Sequence, residues 1–238
     1  FYETHFIVVF AKQKTAYEIN SFGQQFPGLP GLLLGHNDKV AWALTTASYD
    51  YTDAYVETLV RRDGEEFPRV LHNGEEVELE IIEEIVEIGG GFNGEVEQRV
   101  VRIPIVPHRN GPIVMDIRDG QLVLPEGEQA FSLAWRGFEP SDEIAALIGV
   151  MAANNVQEAD AALDNWVIGS QNWLFADVEG NIMVTGKSFV PDRPDDAKTF
   201  SIDNLDGNAP FFPLSGTGEH DWDGSLPIDA VPNELNPE

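Results

Sequence analysis

The chain has no cysteine and only 14 basic residues among 238, against 41 acidic ones, so its formal net charge is −27. The absence of cysteine excludes disulfides, thiolate metal sites and cysteine nucleophiles. The shortage of basic residues argues against nucleic acid as a partner, because phosphate binding requires positive charge. Such an acidic surface is typical of halophilic proteins, and we expect a halophilic source; the alternative is an ordinary acidic protein.

Long apolar runs are also lacking. No stretch approaches the roughly 18 apolar residues that a membrane-spanning helix needs, and no signal peptide is visible. The chain opens on Phe1 within a β-prone stretch and stops at Glu238 in a proline-rich one. We therefore expect a fragment of a longer or processed protein, with no membrane span.

Several catalytic motifs are missing. The stretch "GNIMVTGKS" at 180–188 has one residue too many between its glycines for a phosphate-binding loop, and no G-x-S-x-G or H-E-x-x-H motif occurs. His36, in a turn beside apolar stretches, is expected to make a structural hydrogen bond rather than to act in catalysis. The other four histidines have no evident partners: His5, His72, His108 and His220.

The first half of the chain is dominated by strand patterns. Apolar runs on either side of "GHND" (35–38) predict two buried strands. The sequence "HNGE" (72–75) predicts a hairpin inside a β-rich excursion at about 61–130, in which "GGGFNGE" (89–95) is a flexible tip. These patterns place most of the chain in antiparallel sheets.

Helices are expected only later. "SDEIAALIGVMAANN" (141–155) predicts a helix with Ser141 as N-cap and with Ile144, Leu147, Ile148 and Met151 on its apolar face. A second helix begins at Asn155 and aligns Val156, Ala159, Leu163 and Trp166. A hairpin follows at "VEGN" (178–181), and a Pro/Gly/Asp-rich segment at about 190–238 wraps over the surface. Strands with a helix pair on one face predict an α+β fold.

The motif "DYTD" comes directly after an apolar strand. Asp50 and Asp53 flank a predicted loop turn, with the Thr52 carbonyl between them. Carboxylate and carbonyl oxygens at this spacing are ligands that Ca²⁺ takes. The alternative is a solvated turn held by aspartate side chains, and the spacing alone favours that alternative.

Taken together, these segments resemble the penicillin amidase family of N-terminal-nucleophile hydrolases. The resemblance rests on collinear blocks across nearly the whole chain: "FYETHF", "FPGLPGLLLGHNDKVAWALTTASYDYTDAYVE", "HRNGPIV", "FSLAWRGFEPSDEIAALIGVMAANNVQEADAALDNWVIGSQNWLFADVEGNI", "FVPDRP" and "GTGEHDWDGSLPIDAVPNELNP". Any one block is weak, but their common order is specific. The whole of 1–238 would then be part of one large-subunit hydrolase domain.

The resemblance implies a four-layer αββα sandwich, incomplete in this chain, made by self-cleavage of a precursor that also yields a small subunit. An N-terminal serine attacks the amide of a substrate with a hydrophobic acyl group, such as a penicillin or an acyl-homoserine lactone, and its α-amine acts as base. The family's oxyanion donors are an asparagine and a backbone N–H, and the N–H maps onto Thr46. The serine and the asparagine are absent, so we expect no amidase activity from this chain alone.

Further residues are implied in the same way. Leu34 and Leu44 match acyl-pocket positions but are equally compatible with plain core. The family's Ca²⁺ ligands map onto Asp50, Thr52, Asp53 and Pro191, which reverses the preference for a simple turn. A periplasmic or extracellular location and a link to antibiotic biosynthesis are also implied. The alternative is a non-catalytic, calcium-stabilised β-rich module on the same scaffold.

Overall fold

A computed structural model describes residues 11–12, 19–89, 94, 96–227 and 230–238. Its strands are β1 (Ala11–Lys12), β2 (Asn20–Gln24), β3 (Leu34–His36), β4 (Val40–Thr46), β5 (Thr52–Val60), β6 (Arg69–His72), β7 (Glu75–Glu78), β8 (Glu80–Ile88), β9 (Glu97–Val106), β10 (Gly111–Pro112), β11 (Asp116–Arg118), β12 (Gln121–Val123), β13 (Gln129–Trp135), β14 (Gln171–Asp177), β15 (Ile182–Thr185), β16 (Leu214–Ser215) and β17 (Asn233–Leu235). Its helices are α1 (Glu143–Ala152) and α2 (Val156–Ala162). Neither has the length and apolar character needed to cross a membrane.

The chain divides into two compact units. The first unit contains the residues up to Tyr51, together with Glu139–Pro191 and Ser225–Glu238. The second unit contains Thr52–Phe138 and Asp192–Gly224. The β-rich excursion expected at about 61–130 thus lies inside the second unit. The segment expected to wrap the surface at about 190–238 is divided between the two units.

The first unit is built on an antiparallel sheet with the strand order β1-β2-β3-β4-β14-β15-β17. Alternate residues of its central strands point to one buried face, as the period of a strand requires. That face packs on the helices in a single apolar cluster: Leu32, Val40, Trp42, Ala146, Leu147, Val150, Ala153, Val156, Ala159, Leu163, Trp166, Trp173, Phe175 and Met183. The core of this unit therefore lies between the sheet and the helix pair.

The turn at "GHND" is fixed by Asn37. Its Oδ1 accepts hydrogen bonds from the backbone N–H groups of Lys39 and Val40, both at 2.7 Å. Its Nδ2 donates to the carbonyls of Met151 and Ala153, at 3.0 and 2.8 Å. Asn37 thus satisfies carbonyls at the C-terminal end of α1, which have no partner within the helix. The predicted turn is confirmed, and its polar residue also anchors the helix.

Helix α1 differs from its prediction in two respects. Its N-cap is Asp142, whose Oδ1 accepts the N–H of Ala145 at 3.0 Å, so the assignment of Ser141 was wrong. Leu147 is buried as predicted, but Ile144 and Ile148 are exposed. Ala146 and Val150 take the buried positions. Both belong to the apolar cluster that the helices share with the sheet, and the periodic pattern alone did not identify them.

Helix α2 agrees with its prediction. Asn155 is the N-cap, and its Oδ1 accepts the N–H of Glu158 at 2.8 Å. The reciprocal bond of the cap goes from the N–H of Asn154 to Glu158. The predicted apolar face is confirmed, because the four aligned residues are all buried: Val156, Ala159, Leu163 and Trp166. The hairpin predicted at "VEGN" also forms, between β14 and β15.

The second unit consists of strands and short turns. Its main sheet has the order β13-β5-β6-β7, with β16 parallel to β5, and smaller sheets are formed by β10-β9-β8 and β11-β12. The predicted "HNGE" hairpin is confirmed: Asn73 and Gly74 both have positive φ, as its tight turn requires. The structure thus contains mostly strands and few helices, which is the mixed secondary structure that the sequence predicted. "FYETHF" and most of "GGGFNGE" lie outside the described residues.

Candidate functional site

The end of strand β4 carries the proposed oxyanion donor. The pairing of β4 with β14 runs from Val40–Asp177 to Thr46–Gln171. A backbone bond from Val178 to Lys39, at 3.0 Å, continues the ladder at one end, and a bond from Ala47 to Ser170, at 2.7 Å, continues it at the other. Bonded pairs alternate with non-bonded pairs in an antiparallel ladder. Both bonds therefore assign the hydrogen-bonded positions of β4 to its odd-numbered residues.

Thr46 occupies a non-bonded position of this ladder. Its backbone N–H must point away from β14, because only the alternate residues of β4 direct their N–H groups towards that strand. On the opposite side, β3 pairs with β4 only at Ala41 and Trp42. Within the part of the chain that the structure describes, no strand thus accepts the Thr46 N–H. A backbone donor in this position can bind an oxyanion.

The two leucines matched to an acyl pocket differ in their surroundings. Leu44 is half-buried and lies on the same face of β4 as Val40 and Trp42, where it packs against the helix-side core. Leu34, in β3, is also half-buried but does not belong to that cluster. Leu44 therefore has the surroundings of a core residue.

The "DYTD" motif is not a simple loop turn. Asp50 is exposed and precedes β5, but Asp53 lies inside β5. The alternation of that strand buries Asp53, Tyr55, Glu57 and Leu59 on one face. The expectation that both aspartates flank a loop was therefore wrong for Asp53. Strand alternation, rather than turn chemistry, directs this carboxylate into the interior of the second unit.

Two side chains hold the buried carboxylate of Asp53. Arg193 donates to both oxygens, from Nε to Oδ2 at 2.7 Å and from Nη2 to Oδ1 at 3.0 Å. The Nε1–H of Trp222 also donates to Oδ2, at 2.5 Å. Both ends of this ion pair are almost fully buried, with side-chain exposures of 8% and 0%. A two-pronged arginine pair of this kind fixes the carboxylate in one orientation.

Residues in and just before the "VPDR" segment (190–193) contact Tyr51, which directly follows Asp50 in the chain. In the first unit, the Tyr51 hydroxyl hydrogen-bonds to Ser188 Oγ at 2.5 Å, and Tyr51 packs with Val190. Pro191 forms an isolated bridge with Ser225 while its neighbour Val190 accepts the N–H of Leu226. The Pro191 carbonyl consequently points away from that short ladder.

The hydrogen bonds to Asp53 limit how it can bind Ca²⁺. A carboxylate has about four acceptor positions, and the three N–H donors from Arg193 and Trp222 leave one of them, on Oδ1 of Asp53. Asp53 can thus serve as a ligand through one oxygen only. The carbonyl of Pro191 and the exposed carboxylate of Asp50 are further hard oxygen donors, which Ca²⁺ prefers.

A second buried ion pair, which sequence reasoning missed, lies further along β5. Arg109 Nη1 donates to Oε1 of the fully buried Glu57 at 2.8 Å, and its Nη2 donates to Asp221 Oδ1. Ser132 Oγ also donates to Glu57 Oε1, and the guanidinium lies over the Tyr55 ring, 4.0 Å from its centroid. Burial raises the pKa of Glu57 while Arg109 opposes that rise. Alternation in β5 did not reveal which face was buried.

Two histidines adjoin this pair, so the expectation that they lack partners was wrong. The rings of His72 and His108 stack at 3.7 Å, and His72 Nε2 lies 2.6 Å from Asp221 Oδ2. Arg109 donates to His108 Nε2 at 2.7 Å, so the neutral ring carries its proton on the buried Nδ1. Burial, followed by the charge of Arg109, lowers the pKa of His108 to about 4.

This cluster has the residue types of a metal site but not its electrostatics. One ligand atom from each of His72, His108 and Asp221 lies within 4.8 Å of the others. The guanidinium of Arg109 donates to both His108 and Asp221, however, and so supplies the positive charge that a metal ion would bring. The cluster is a hydrogen-bonded support for Arg109. His220 is likewise structural, because its Nδ1 accepts the N–H of Ser215 at 3.2 Å.

Comparison with known proteins gives a consistent result. The family model described as penicillin amidase matches residues 2–238. Penicillin G acylase of Escherichia coli is 32% identical over 214 residues, which cover 88% of this chain and 21% of that protein. Penicillin acylase 2 proenzyme of a Pseudomonas strain is 28% identical, over 90% of this chain and 24% of that protein.

Two further similarities extend this picture. An acyl-homoserine lactone acylase of Pseudomonas fluorescens is 26% identical over 93% of this chain and 24% of its own length. The solved structure of thermostable penicillin G acylase from Alcaligenes faecalis has a TM-score of 0.69 and 24% identity, and the match covers 98% of this chain and 36% of that one. The chain thus spans about a fifth to a quarter of the curated relatives.

Proposed function

Because the chain belongs to the penicillin amidase family, we propose that it is part of an N-acyl amide hydrolase whose substrates carry a hydrophobic acyl group. Its relatives are named as acylases of penicillin and of acyl-homoserine lactone. The nucleophile is an N-terminal serine outside these 238 residues. Its own α-amine, with an ordinary pKa of about 8, can accept the serine proton near neutral pH.

The observation that carries this proposal is the orientation of the Thr46 N–H. Attack on an amide places negative charge on the carbonyl oxygen, and fixed donors aimed at that oxygen lower the barrier. The Thr46 N–H is directed away from the β14 ladder, on a strand that the core holds through Val40 and Trp42. A donor on a rigid strand needs no reorganisation during the reaction. We therefore assign Thr46 as the backbone oxyanion donor.

Replacement of Thr46 by proline in the full-length protein tests this role. Proline removes the N–H, and it is compatible with β14 because position 46 does not donate to that ladder. Loss of one oxyanion donor typically lowers kcat by about 10²–10³-fold. The matched control, Thr46→Ala, retains the N–H and should keep near-normal hydrolysis of a chromogenic phenylacetyl anilide. Equal rates for the two variants would remove Thr46 from the mechanism.

The open face of the first unit's sheet supports the four-layer sandwich. Opposite the helices, an apolar trough of about 390 Å³ is lined by Ala41, Ala43, Leu174, Ile182 and their neighbours. A sheet buries one face against helices and needs another layer against a second apolar face. We propose that a second sheet, from elsewhere in the protein, covers this trough, and that a small subunit from the same precursor completes the enzyme. A periplasmic or extracellular location is part of the same proposal.

We also propose that Asp50, Thr52, Asp53 and Pro191 contribute to a Ca²⁺ site. A bound cation would offset the repulsion between the carboxylates and join two segments about 140 residues apart in the chain. The support is one contact within each unit: Tyr51 hydrogen-bonds to Ser188 in the first unit, and Asp53 pairs with Arg193 in the second. Calorimetric titration of the full-length protein with Ca²⁺ should show binding that Asp50→Asn weakens and the exposed control Asp63→Asn does not.

The same experiments distinguish the proposed enzyme from the alternative function. A non-catalytic, calcium-stabilised β-rich module would bind Ca²⁺ and hydrolyse no acyl amide, and the Thr46→Pro change would have no effect. Hydrolysis by the full-length protein, together with its loss in Thr46→Pro, favours the enzyme.

A further inference from the structure

Three phenylalanine rings contact one another on the surface of the second unit. The ring centroids of Phe200, Phe211 and Phe212 lie 4.7–5.9 Å apart. The three residues are 38%, 69% and 49% exposed. They are called the phenylalanine patch below. Single exposed apolar residues are ordinary, but rings that cluster at the surface mark interaction sites.

The loop that carries the patch is held in one conformation. The N–H of Phe200 donates to the Asn208 carbonyl at 2.8 Å, and the N–H of Phe212 donates to Ala209 at 2.9 Å. Asn204 Nδ2 donates to the Thr199 carbonyl at 2.9 Å. The same loop exposes two further apolar residues, Ile202 and Leu205. Since its conformation is already fixed, binding through this loop would lose little conformational entropy.

The loop is also fastened to the interior of its unit. Ala209 is buried, and Ala197, just before the loop, packs with Tyr55, Ala134 and Leu214. Asn208 Nδ2 reaches back to the Asp196 carbonyl at 3.0 Å. The rings are therefore displayed on a supported surface and are not side chains of a loose segment.

The charges around the patch restrict what can cover it. Four exposed aspartates lie in the same stretch of chain, Asp195, Asp196, Asp203 and Asp206, against the single base Lys198. A second copy of this surface would bring like charges together, and an anionic membrane would also be repelled. A complementary partner offers apolar side chains at its centre and lysine or arginine at its rim.

We propose that the phenylalanine patch is the docking surface for the companion subunit of the same precursor. This inference rests on the proposed function, which supplies that companion. The relatives matched by this chain are about four to five times longer than the matched part, so ample polypeptide exists to cover the patch. Aromatic residues, including phenylalanine, are enriched in protein interfaces, and the aspartates would favour a basic rim.

The test uses the full-length protein and compares two double variants. Phe211→Ser/Phe212→Ser removes the most exposed rings, and Ile117→Ser/Leu122→Ser removes two exposed apolar residues from another part of the same unit. We expect the first to raise the dissociation constant between the subunits by at least about tenfold, as for a hot spot. The second should change it by less than about threefold. Size-exclusion chromatography over a dilution series measures both.

The exposed aspartates allow an independent test of the same proposal. Asp203→Asn/Asp206→Asn should slow subunit association at low salt and lose that effect at about 1 M salt, where charges are screened beyond about 3 Å. Unchanged dissociation in the Phe211→Ser/Phe212→Ser variant would overturn the proposal. Three other results would also overturn it. The precursor could remain a single uncleaved polypeptide, or the protein could form a dimer of identical copies that the Phe211→Ser/Phe212→Ser variant no longer forms. The third result is binding to phosphatidylglycerol vesicles that depends on the patch.

Hydrolysis of a phenylacetyl anilide, measured on the same samples, separates this inference from the proposed function. Active protein whose subunits stay together in the patch variant refutes the docking surface alone. Subunits that separate as expected in a protein without any acyl-amide hydrolysis refute the proposed activity alone.

Discussion

Among the described residues of the first unit, fourteen buried apolar residues form one cluster between sheet and helices, whereas the main clusters described in the second unit have five and four. The second unit instead buries two carboxylates on one face of β5, Asp53 and Glu57, each paired with an arginine. A large apolar core gains stability from area removed from water. Buried ion pairs contribute little net stability, but the loss of one partner is costly. The two units should therefore respond to different substitutions.

The largest effect is expected from breaking the ion pair of the second unit. Arg109→Met leaves Glu57 buried without its cation, which should lower the free energy of unfolding by about 3–5 kcal/mol. Urea denaturation measures the change. The double variant Glu57→Gln/Arg109→Met should be more stable than Arg109→Met, because it removes the unpaired charge.

Arg102→Met is the matched control for that experiment. Arg102 pairs with Glu66 and Glu83 at the surface, with 47% of its side chain exposed. Exposed pairs contribute about 0–1 kcal/mol. If Arg109→Met lowered the free energy of unfolding no more than Arg102→Met does, the second unit would not depend on its buried ion pairs, and the contrast with the first unit would fail.

Next in size is a cavity in the apolar core of the first unit. Leu147 is fully buried, so Leu147→Ala should lower the free energy of unfolding by about 2–5 kcal/mol. Its helix neighbour Ile148 is 45% exposed, and Ile148→Ala should cost about 0.5 kcal/mol or less. If both variants lost similar stability in thermal or urea unfolding, the assignment of the buried face of α1 would be wrong.

A smaller effect is expected from pH. The pKa of His108 is lowered to about 4 in the folded chain, so the unfolded chain, with a pKa near 6.5, binds this proton more tightly. The resulting stability is present above pH 6.5 and is lost as pH falls towards 4. The slope cannot exceed about 1.4 kcal/mol per pH unit, because a single proton is involved. His108→Gln should flatten that region of a pH series of urea titrations; an unchanged slope would contradict the assignment.

The smallest difference concerns the start of α1. Asp142→Ala should cost about 1 kcal/mol because it removes the acceptor for the Ala145 N–H. Ser141→Ala should have little effect, since its hydroxyl bonds only to the Glu143 side chain. The reverse order in thermal unfolding would restore Ser141 as the cap.

Local patterns identified some elements and misplaced others. Turn chemistry located the hairpins at Asn73–Gly74 and at 178–181, because those residues have backbone and side-chain properties that act within a few positions. The N-cap at Asn155 was found for the same reason. The buried face of α1 was only partly found, because the burial of Ala146 and Val150 depends on packing against distant parts of the chain.

By itself, the sequence determined the absence of thiol chemistry, the acidic character, the strand-rich fold and, through its ordered motifs, the family. These follow from composition and from interactions between neighbours in the chain. Only the tertiary structure decided that Asp53 and Glu57 turn inward to meet Arg193 and Arg109, and that the Thr46 N–H turns away from β14. An alternating strand has two faces, and which one is buried depends on residues more than fifty positions away.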